Sequence, residues 1–476
     1  MISFDLEKRW CFYFKQIADI PRGSGNEKEA SDYIVQFAKD HGLQYKQDSV
    51  WNVIVDKPAS PGYESAEPII LQAHLDVVCE KNQDVEHDFT KDPLDLYVED
   101  GWLKAKGTTL GADDGYGVSY MLAILEDDSL QHPALSCIFT TMEEIGLLGA
   151  MKLEKDDLHA KRMINLDGGG EVETTVSSAG GACVKAVCRF DQQENDLPAY
   201  VLSVRGLQGG HSGGSIHEER GNANCLAARI IKQLQNNGLD ITVSTFNGGL
   251  KYNAIPREAD VVFVSSSAFN DLQEQAEKIE KEIQRELEFS DPGFFVKLEK
   301  TEAAWKADKK AGDAFINYLY LIPNGFMHRS LPLGITSASL NAGVVETKDN
   351  TFILTDMIRS ALSSDTDLLI GQLQTLGEIL HIEAECTDRF MGWAYKSDSS
   401  FRKILKDVCA KHDISLEEKA THGGLECGVF SGLDPDLDII TYGPVAYGYH
   451  TPEEKLDLAS FDRCYGVLCE VLAAAH

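Results

Sequence analysis

The stretch PIILQAHLDVV, residues 68–78, decides the fold. Its first half is a nearly continuous apolar run, which is typical of a fully buried central strand of a covered sheet. His74 and Asp76 follow this run two residues apart, so on a strand both side chains would point to the same face. Such a histidine can ligate a metal while the aspartate orients its ring. Taken alone, the pattern more often belongs to a structural histidine.

Residues 1–182 alternate helical and strand patterns around this run. Strands that alternate with helices predict an α/β sheet covered on both faces. Ligands of such sheets gather beyond the carboxyl ends of the strands, so we expect a functional site there. The predicted helices are 7–20, 26–41 and 117–125, and the predicted strands are 51–55, 69–75, 135–142 and 163–166.

The regular alternation of helical and strand patterns stops near residues 179–181 and resumes near residue 390. Between these points, residues 183–388 predict an inserted α+β domain of two halves, with a hairpin at Asp349-Asn350 because both residues tolerate positive φ. The α/β pattern returns in residues 389–476. We therefore predict an α/β domain with a mixed or parallel sheet covered by helices, built from 1–182 and 389–476 and interrupted by this insertion.

The composition restricts the classes of partner. The chain has 476 residues and a formal net charge of -32, which argues against nucleic acid, since Lys and Arg dominate phosphate binding. It has no apolar run of the roughly 18 residues that span a membrane, and no signal peptide pattern. The eleven cysteines are scattered, without a CxxC, which favours reduced thiols in the cytoplasm.

Two acidic pairs carry the first indication of chemistry. Asp113-Asp114 occupies a glycine-rich turn in GTTLGADDG, where a carboxylate can bridge two ions through its two oxygens. Glu143-Glu144 ends the run CIFTTM. Neighbours on a strand point to opposite faces, so one glutamate can ligate a metal while the other acts as a general base. The simpler alternatives are a favourable helix N-terminus for the aspartates and an exposed turn for the glutamates.

Two further residues extend the set. Asp167 follows the apolar MINL, and His450 lies in the glycine-rich GPVAYGYHTPEE. With His74 and the acidic pairs, they form a ligand set of nitrogen and oxygen only, which suits zinc, manganese or cobalt rather than a thiolate site. Two such ions, roughly 3.5–4 Å apart, would share a carboxylate bridge and activate a water for hydrolysis.

The inserted domain offers donors for the charge that develops on a tetrahedral intermediate. His211 lies among four glycines in GLQGGHSGG, where a histidine is poor structural filler. Asn253 in NGGLKYNAIP and Arg359 in TDMIRS are also candidates. Taken without the wider pattern, Asn253 is more simply a turn residue and Arg359 a surface charge.

The chain resembles the M20 metallopeptidase family, and within it the aminoacyl-histidine dipeptidases. The resemblance runs along nearly the whole chain and is densest in LQAHLDVVCEKNQDVEHDFTKDP, GTTLGADDGYG, MEEIGLLGA, GGHSGGSIHEERGNAN, NAIPREA and HGGLECGVF. It implies an insertion that forms a two-lobed lid. It also implies the following roles: His74 and Asp167 on one metal, Glu144 and His450 on the other, Asp113 as the bridge, Asp76 orienting His74, Glu143 as general base, His211 stabilising the oxyanion, and Asn253 and Arg359 contacting the substrate's carboxylate or carbonyl.

The implied activity is hydrolysis of unblocked dipeptides, including Xaa-His and β-Ala-His, with two divalent ions, Zn²⁺ first and Mn²⁺ or Co²⁺ as alternatives. Aspartate at position 167 goes with dipeptidases and aminopeptidases of the family. The resemblance also implies a homodimer, although a two-lobed lid could instead close the site within one chain. It further implies that Asp114 is not essential. Two alternatives stay open: a related amidohydrolase of tripeptides or N-acyl amino acids, and a metal-binding paralogue without catalysis.

Overall fold

The structure, a computed structural model, describes residues 4–476 and divides them into two compact units. The first unit contains the chain up to Ser177 together with Trp393–Ala420 and Leu425–His476. The second contains Ser178–Gly392 and Thr421–Gly424. The boundaries predicted from the sequence were 182/183 and 388/389, and residues 421–424 were predicted to lie in the first domain.

The first unit begins with helices and strands that follow the predicted order. The predicted strand at 51–55 starts later, because Trp51 has a φ of 73°. Single-turn helices cover Ala150–Lys152 and Lys155–Asp157. The elements are α1 (Arg9–Ala18), α2 (Lys28–Asp40), β1 (Gln44–Gln47), β2 (Val53–Lys57), β3 (Ile69–His74), β4 (Leu96–Glu99), β5 (Trp102–Ala105), α3 (Ala112–Glu126), β6 (Leu135–Thr140), β7 (Arg162–Asn165) and β8 (Glu173–Ser178).

The second unit carries most of the remaining strands. The hairpin predicted at Asp349-Asn350 joins β19 to β20, and both turn residues have positive φ. The elements are β9 (Gly180–Arg189), β10 (Gln192–Glu194), β11 (Ala199–Arg205), β12 (Gly210–His211), α4 (Ala223–Asn236), β13 (Thr242–Gly248), β14 (Ala254–Ile255), β15 (Ala259–Val264), α5 (Phe269–Glu286), β16 (Phe295–Thr301), β17 (Trp305–Ala307), α6 (Lys309–Leu321), β18 (Gly325–Ser330), β19 (Ile335–Lys348), β20 (Thr351–Ser360), α7 (Ser363–Leu380) and β21 (Glu383–Phe390).

The chain then returns to the first unit. The predicted helix at Ser399–Lys411 is present, with the Ser399 side chain accepting a hydrogen bond from the Arg402 N–H. The elements are α8 (Ser400–Lys411), β22 (Glu417–Thr421), α9 (Glu426–Leu433), β23 (Asp438–Thr441), β24 (Ala446–Tyr447), β25 (Lys455–Asp457) and α10 (Leu458–Ala474).

A six-stranded mixed sheet in the order β1-β2-β6-β3-β7-β23 forms the centre of the first unit. β3 lies between β6 and β7, parallel to both, and all six of its residues are buried. β23 continues the parallel part, whereas β2 runs antiparallel to both of its neighbours, β6 and β1. The predicted α/β class and the central position of β3 are therefore confirmed. The carboxyl ends of β3, β6 and β7 meet at one edge of the sheet.

A nine-stranded sheet forms the centre of the second unit. The strand order is β16-β11-β15-β13-β19-β20-β9-β21, and β18 pairs with β19. The first four strands and the remaining ones form two groups that meet between β13 and β19, where Gly248 opposite Val345 is the one paired position. Helices α4 and α5 pack on the first group, and α7 packs on the second. This arrangement confirms the predicted two-lobed α+β insertion.

Candidate metal centre

The carboxyl-end edge of the first unit gathers five side chains that the sequence singled out. His74 is the last residue of β3, Asp113 lies in the first turn of α3, and Asp167 follows β7. Glu144 follows β6, and His450 lies in the loop between β24 and β25. Ligand atoms of His74, Asp113 and Glu144 all lie within 4.8 Å of one another. Chain segments that are far apart in sequence therefore meet at one site.

The two oxygens of Asp113 face different histidines. Its Oδ1 lies 2.9 Å from Nε2 of His74, and its Oδ2 lies 3.3 Å from Nε2 of His450. The same His74 nitrogen lies 4.0 Å from Asp167, and the same His450 nitrogen lies 3.0 Å from Glu144. The distances thus place His74 with Asp167 and His450 with Glu144, and Asp113 lies near both histidines. The family resemblance implies the same grouping of metal ligands, which stays a prediction.

The charges of the cluster favour bound cations. Burial acts to raise the pKa of the Asp113 carboxyl, but hydrogen bonds from His450 and His74 outweigh it and hold the pKa below its usual range. Burial and the neighbouring Asp113 raise the pKa of Asp167 well above its usual value. Hydrogen bonds to Asp113 and Glu144 raise the pKa of His450 to about 10. Buried acids are costly without compensating positive charge, so this donor set fits divalent ions.

Glu143 and Glu144 do not lie on a strand, which corrects the sequence-based expectation. β6 ends at Thr140, and the two glutamates follow in a loop after Met142, which has a φ of 52°. The backbone of this loop, rather than strand alternation, therefore sets the directions of the two side chains. Burial raises the pKa of the Glu143 carboxyl to about 8. Glu143 thus directly precedes Glu144 and has a carboxyl that ionises less readily than that of an exposed glutamate.

Asp76 has a broader role than the sequence indicated. Nδ1 of His74 lies 3.1 Å from the backbone oxygen of Asp76 and 3.5 Å from its carboxylate. The carboxylate accepts hydrogen bonds from the N–H groups of Glu143 and Glu144, at 3.0 and 3.2 Å, and from Ser24. Asp76 therefore contacts the His74 ring and also holds the loop that carries both glutamates.

Asp114 turns away from the histidine rings. It is fully buried, and its carboxylate accepts hydrogen bonds from the N–H groups of His74 and Gly117, at 3.3 and 3.1 Å. These contacts give Asp114 a structural place behind the site. Asp113, rather than Asp114, thus has the geometry of a bridging ligand.

Three residues that sequence reasoning missed support this edge from behind. Arg22 and Glu454 are buried and contact the backbone beside Asp113, and Glu426 is fully buried. Glu426 accepts hydrogen bonds from Gln72 at 2.6 Å and Thr140 at 2.8 Å, on the strands β3 and β6. Glu426 does stand in the quoted HGGLECGVF, but no sequence signal distinguishes a buried glutamate there from an exposed one.

The second unit brings two of its three predicted donors together. Nδ1 of His211 accepts hydrogen bonds from the N–H groups of Gly213 and Gly214, at 3.2 and 3.1 Å. Burial and the neighbouring Arg359 lower the pKa of His211. Because Nδ1 accepts from two backbone N–H groups, the proton of the neutral ring is assigned to Nε2. Nη2 of Arg359 lies 3.5 Å from this Nε2. Two donors therefore converge on one point, as in a site for an oxyanion or carboxylate.

Arg359 is a buried cation, 6% exposed, on β20. Its Nε donates to the Ser212 hydroxyl at 3.2 Å, and in the described part of the chain it forms no ion pair with a carboxylate. Burial lowers the pKa of the guanidinium. The third candidate, Asn253, is partly exposed, and its backbone oxygen accepts a hydrogen bond from the Ser212 N–H at 2.9 Å. Ser212 thus connects all three candidates.

Comparisons with known proteins agree along nearly the whole chain. The model of a family described as peptidase family M20/M25/M40 matches residues 70–474. The cytosol non-specific dipeptidase of Escherichia coli (strain K12) is 35% identical over 469 residues, which cover 96% of each chain. The crystal structure of aminoacylhistidine dipeptidase from Vibrio alginolyticus matches with a TM-score of 0.91 at 32% identity and covers 98% of this chain and 96% of that one.

A more distant structure, aminopeptidase PepT from Bacillus cereus ATCC 10987, matches with a TM-score of 0.58 at 14% identity. The match covers 99% of this chain and 100% of that one. At this identity the likeness concerns the fold alone. None of the helices within residues 4–476 is long and apolar enough to cross a membrane.

Proposed function

The chain belongs to peptidase family M20/M25/M40 and is a metal-dependent peptidase, and on that premise we propose that it hydrolyses unblocked dipeptides. The family resemblance predicted from the sequence is confirmed. The names of the two relatives above 30% identity both say dipeptidase, one non-specific and one for aminoacyl-histidine. A preference for Xaa-His, including β-Ala-His, and a cytoplasmic location are the finer parts of the proposal.

The placement of Asp113 carries the proposal. Each of its oxygens faces one histidine, and each histidine lies near one further carboxylate, Asp167 or Glu144. Such a set can hold two divalent ions with Asp113 between them. We propose Zn²⁺ as the ion, with Mn²⁺ or Co²⁺ as alternatives, because the donors are imidazole and carboxylate only.

Divalent ions bound there would polarise the peptide carbonyl and lower the pKa of an attacking water. Glu143 would take the proton from that water and later give it to the leaving amine. Its buried carboxyl has a pKa raised to about 8, which suits a group that both accepts and returns a proton. Asp76 holds the backbone of Glu143, so the base stays beside the ligand Glu144.

The second unit supplies the proposed substrate contacts. His211 would donate its Nε2 proton to the oxygen of the tetrahedral intermediate, because its Nδ1 already accepts two backbone hydrogen bonds. Arg359 would bind the terminal carboxylate of the dipeptide, since a buried guanidinium without a carboxylate partner favours an anion. Asn253 would contact the same carboxylate or a substrate carbonyl.

Hydrolysis by metal-depleted and reconstituted protein tests the proposed function. We expect chelation to abolish activity and Zn²⁺, Mn²⁺ or Co²⁺ to restore it, because the attacking water depends on the ions. The substrates are β-Ala-His, Gly-His, Leu-Gly-Gly and an N-acetyl amino acid. Cleavage of β-Ala-His and Gly-His above the other two supports the proposal.

The same panel identifies the alternatives. Preferential cleavage of Leu-Gly-Gly or of the N-acetyl amino acid would replace the dipeptidase by a related amidohydrolase. Tight metal binding without hydrolysis of any substrate would instead indicate a non-catalytic paralogue. The presence of Glu143 and His211 in this chain argues against a non-catalytic paralogue, since neither residue is needed to hold metal.

Arg359→Lys is expected to lower kcat/KM on Gly-His by about 10- to 100-fold, mainly through KM. A charge-assisted hydrogen bond is worth about 1.5–3 kcal/mol, and lysine cannot reproduce the two parallel contacts of a guanidinium. The measurement is steady-state kinetics on Gly-His and on its C-terminal amide. Because the amide lacks the carboxylate, parent and variant should differ little on it.

Arg389→Lys is the matched control, since Arg389 is exposed on β21 in the same unit. This variant should resemble the parent on both substrates. An equal loss for Arg359→Lys on the acid and on the amide would contradict the carboxylate assignment.

A further inference from the structure

We propose that Glu454 is a positioning residue that fixes the bridging ligand Asp113 relative to His450, with Arg22 holding the opposite side of the same turn. The inference rests on the proposed function, since it concerns the alignment of the proposed metal ligands. The turn in question comprises residues 110–113 and is called the 110–113 turn.

Glu454 contacts four consecutive backbone N–H groups of this turn. Its Oε2 accepts from Leu110 and Gly111, at 2.8 and 3.0 Å. Its Oε1 accepts from Ala112 and Asp113, at 2.9 and 3.3 Å. The side chain is buried, with Glu454 only 2% exposed. A carboxylate has about four acceptor sites, so the turn uses its full capacity.

The 110–113 turn needs an acceptor at this point. It leads into α3, where the first N–H groups of a helix have no partner within the helix. Gly111 has a φ of 65°, and this left-handed residue helps the neighbouring N–H groups to converge, as in an anion-binding nest. The positive end of the helix dipole adds to the attraction for a carboxylate. Glu454 therefore supplies the anion that this backbone shape favours.

The contact of Glu454 with the 110–113 turn connects the segments that carry two proposed ligands, His450 and Asp113. Glu454 follows His450 by four residues, and it reaches amides that lie 341 to 344 residues earlier in the chain. The side chain of His450 is half exposed, so packing around the ring contributes little to its position. The 3.3 Å approach of His450 to Asp113 thus depends on how the two loops are held together.

Arg22 holds the carbonyl side of the same turn. It is 3% exposed, and it donates to the oxygens of Gly111 at 2.8 Å and Leu75 at 2.7 Å. Leu75 directly follows the ligand His74. Arg22 therefore connects the His74 segment to the 110–113 turn, and Glu454 connects the His450 segment to it. One backbone frame thus aligns the three ligands.

The closeness of the contacts leaves little room for adjustment. The N–H of Gly111 donates to Glu454 at 3.0 Å, and its carbonyl oxygen accepts from Arg22 at 2.8 Å. The turn is therefore held by Glu454 on one side and by Arg22 on the other. Loss of the Glu454 contact is expected to change the spacing of Asp113 and His450 rather than to be absorbed by the turn.

Zn²⁺ affinity of purified full-length Glu454→Gln tests the inference. The amide presents N–H donors to backbone N–H groups, so we expect the Zn²⁺ dissociation constant to rise by about 10- to 100-fold, as for partners that orient metal ligands. The measurement is competition with a chromogenic chelator, together with the melting temperature with and without Zn²⁺. The rise in melting temperature on adding Zn²⁺ should be smaller than in the parent.

Glu453→Gln is the matched control, because it makes the same change at the neighbouring, exposed glutamate. It should keep the parental dissociation constant and melting temperatures. A role in stability alone would lower the melting temperature of Glu454→Gln equally with and without Zn²⁺ and leave the dissociation constant unchanged, and this result would overturn the inference.

If Glu454→Gln does not fold, Arg22→Lys gives the same reading, since lysine keeps the charge but cannot reach Leu75 and Gly111 with two parallel donors. Weakened Zn²⁺ binding in that variant supports the inference, and parental binding overturns it. A parent protein that binds no Zn²⁺, Mn²⁺ or Co²⁺ would instead overturn the proposed function, and the inference with it.

Discussion

Asp113→Asn is expected to lose bound metal and to reduce hydrolysis of Gly-His by about a thousandfold or more. Each oxygen of Asp113 faces a different histidine, so the amide removes one of two acceptor oxygens and the negative charge that would help to hold divalent ions there. A catalytic ion contributes several kcal/mol to transition-state stabilisation, and about 4 kcal/mol corresponds to a thousandfold in rate.

Metal content after dialysis and kcat/KM on reconstituted protein measure this effect. Asp114→Asn is the matched control, because the carboxylate of Asp114 contacts the N–H groups of His74 and Gly117 rather than a histidine ring. We expect that control to keep the parental metal content with a lower melting temperature. Retention of two ions and of substantial activity by Asp113→Asn would rule out the bridging role.

Glu143→Gln is expected to bind metal as the parent does and to lose about 10²- to 10⁴-fold in kcat, the range that a general base contributes. Glutamine keeps the size of the side chain and the backbone N–H that Asp76 accepts, but it cannot take a proton. The loss should therefore lie in the chemical step, with KM little changed.

Glu144→Gln provides the contrast to Glu143→Gln. Its carboxylate lies 3.0 Å from His450, so its replacement should weaken metal binding itself. Metal analysis and steady-state kinetics on both variants separate the two roles. A fully active Glu143→Gln would contradict the mechanism, and equal metal loss in both variants would show that the glutamates share one task.

Several features of the fold followed directly from the sequence. The apolar run before His74 predicted a buried central strand, and β3 lies between two parallel neighbours. The pair Asp349-Asn350 predicted a hairpin, which is present with both residues at positive φ. Such features are predictable because burial and turn conformation depend on residues that are close in sequence.

The five proposed metal ligands could also be selected from the sequence, since His, Asp and Glu at strand ends form a recognisable pattern. The pattern did not show how they are held. Glu143 and Glu144 lie in a loop after β6, so the strand alternation expected from the sequence does not orient them. The Asp76 carboxylate lies closer to their backbone N–H groups than to the His74 ring. The sequence does not show which backbone N–H groups need a side-chain acceptor, so the contacts of Asp76 and Glu454 with these groups were not predicted.

The sequence by itself therefore determined the class of fold and the family, and it supplied the residues that we propose as ligands. Only the tertiary structure decided which oxygen faces which histidine, that His211 and Arg359 converge, and that Arg22 and Glu454 hold the turn of Asp113. The physical reason is the range of the interactions. Local patterns depend on neighbours in sequence, whereas the contacts that align this site join a backbone turn to side chains up to 344 residues away.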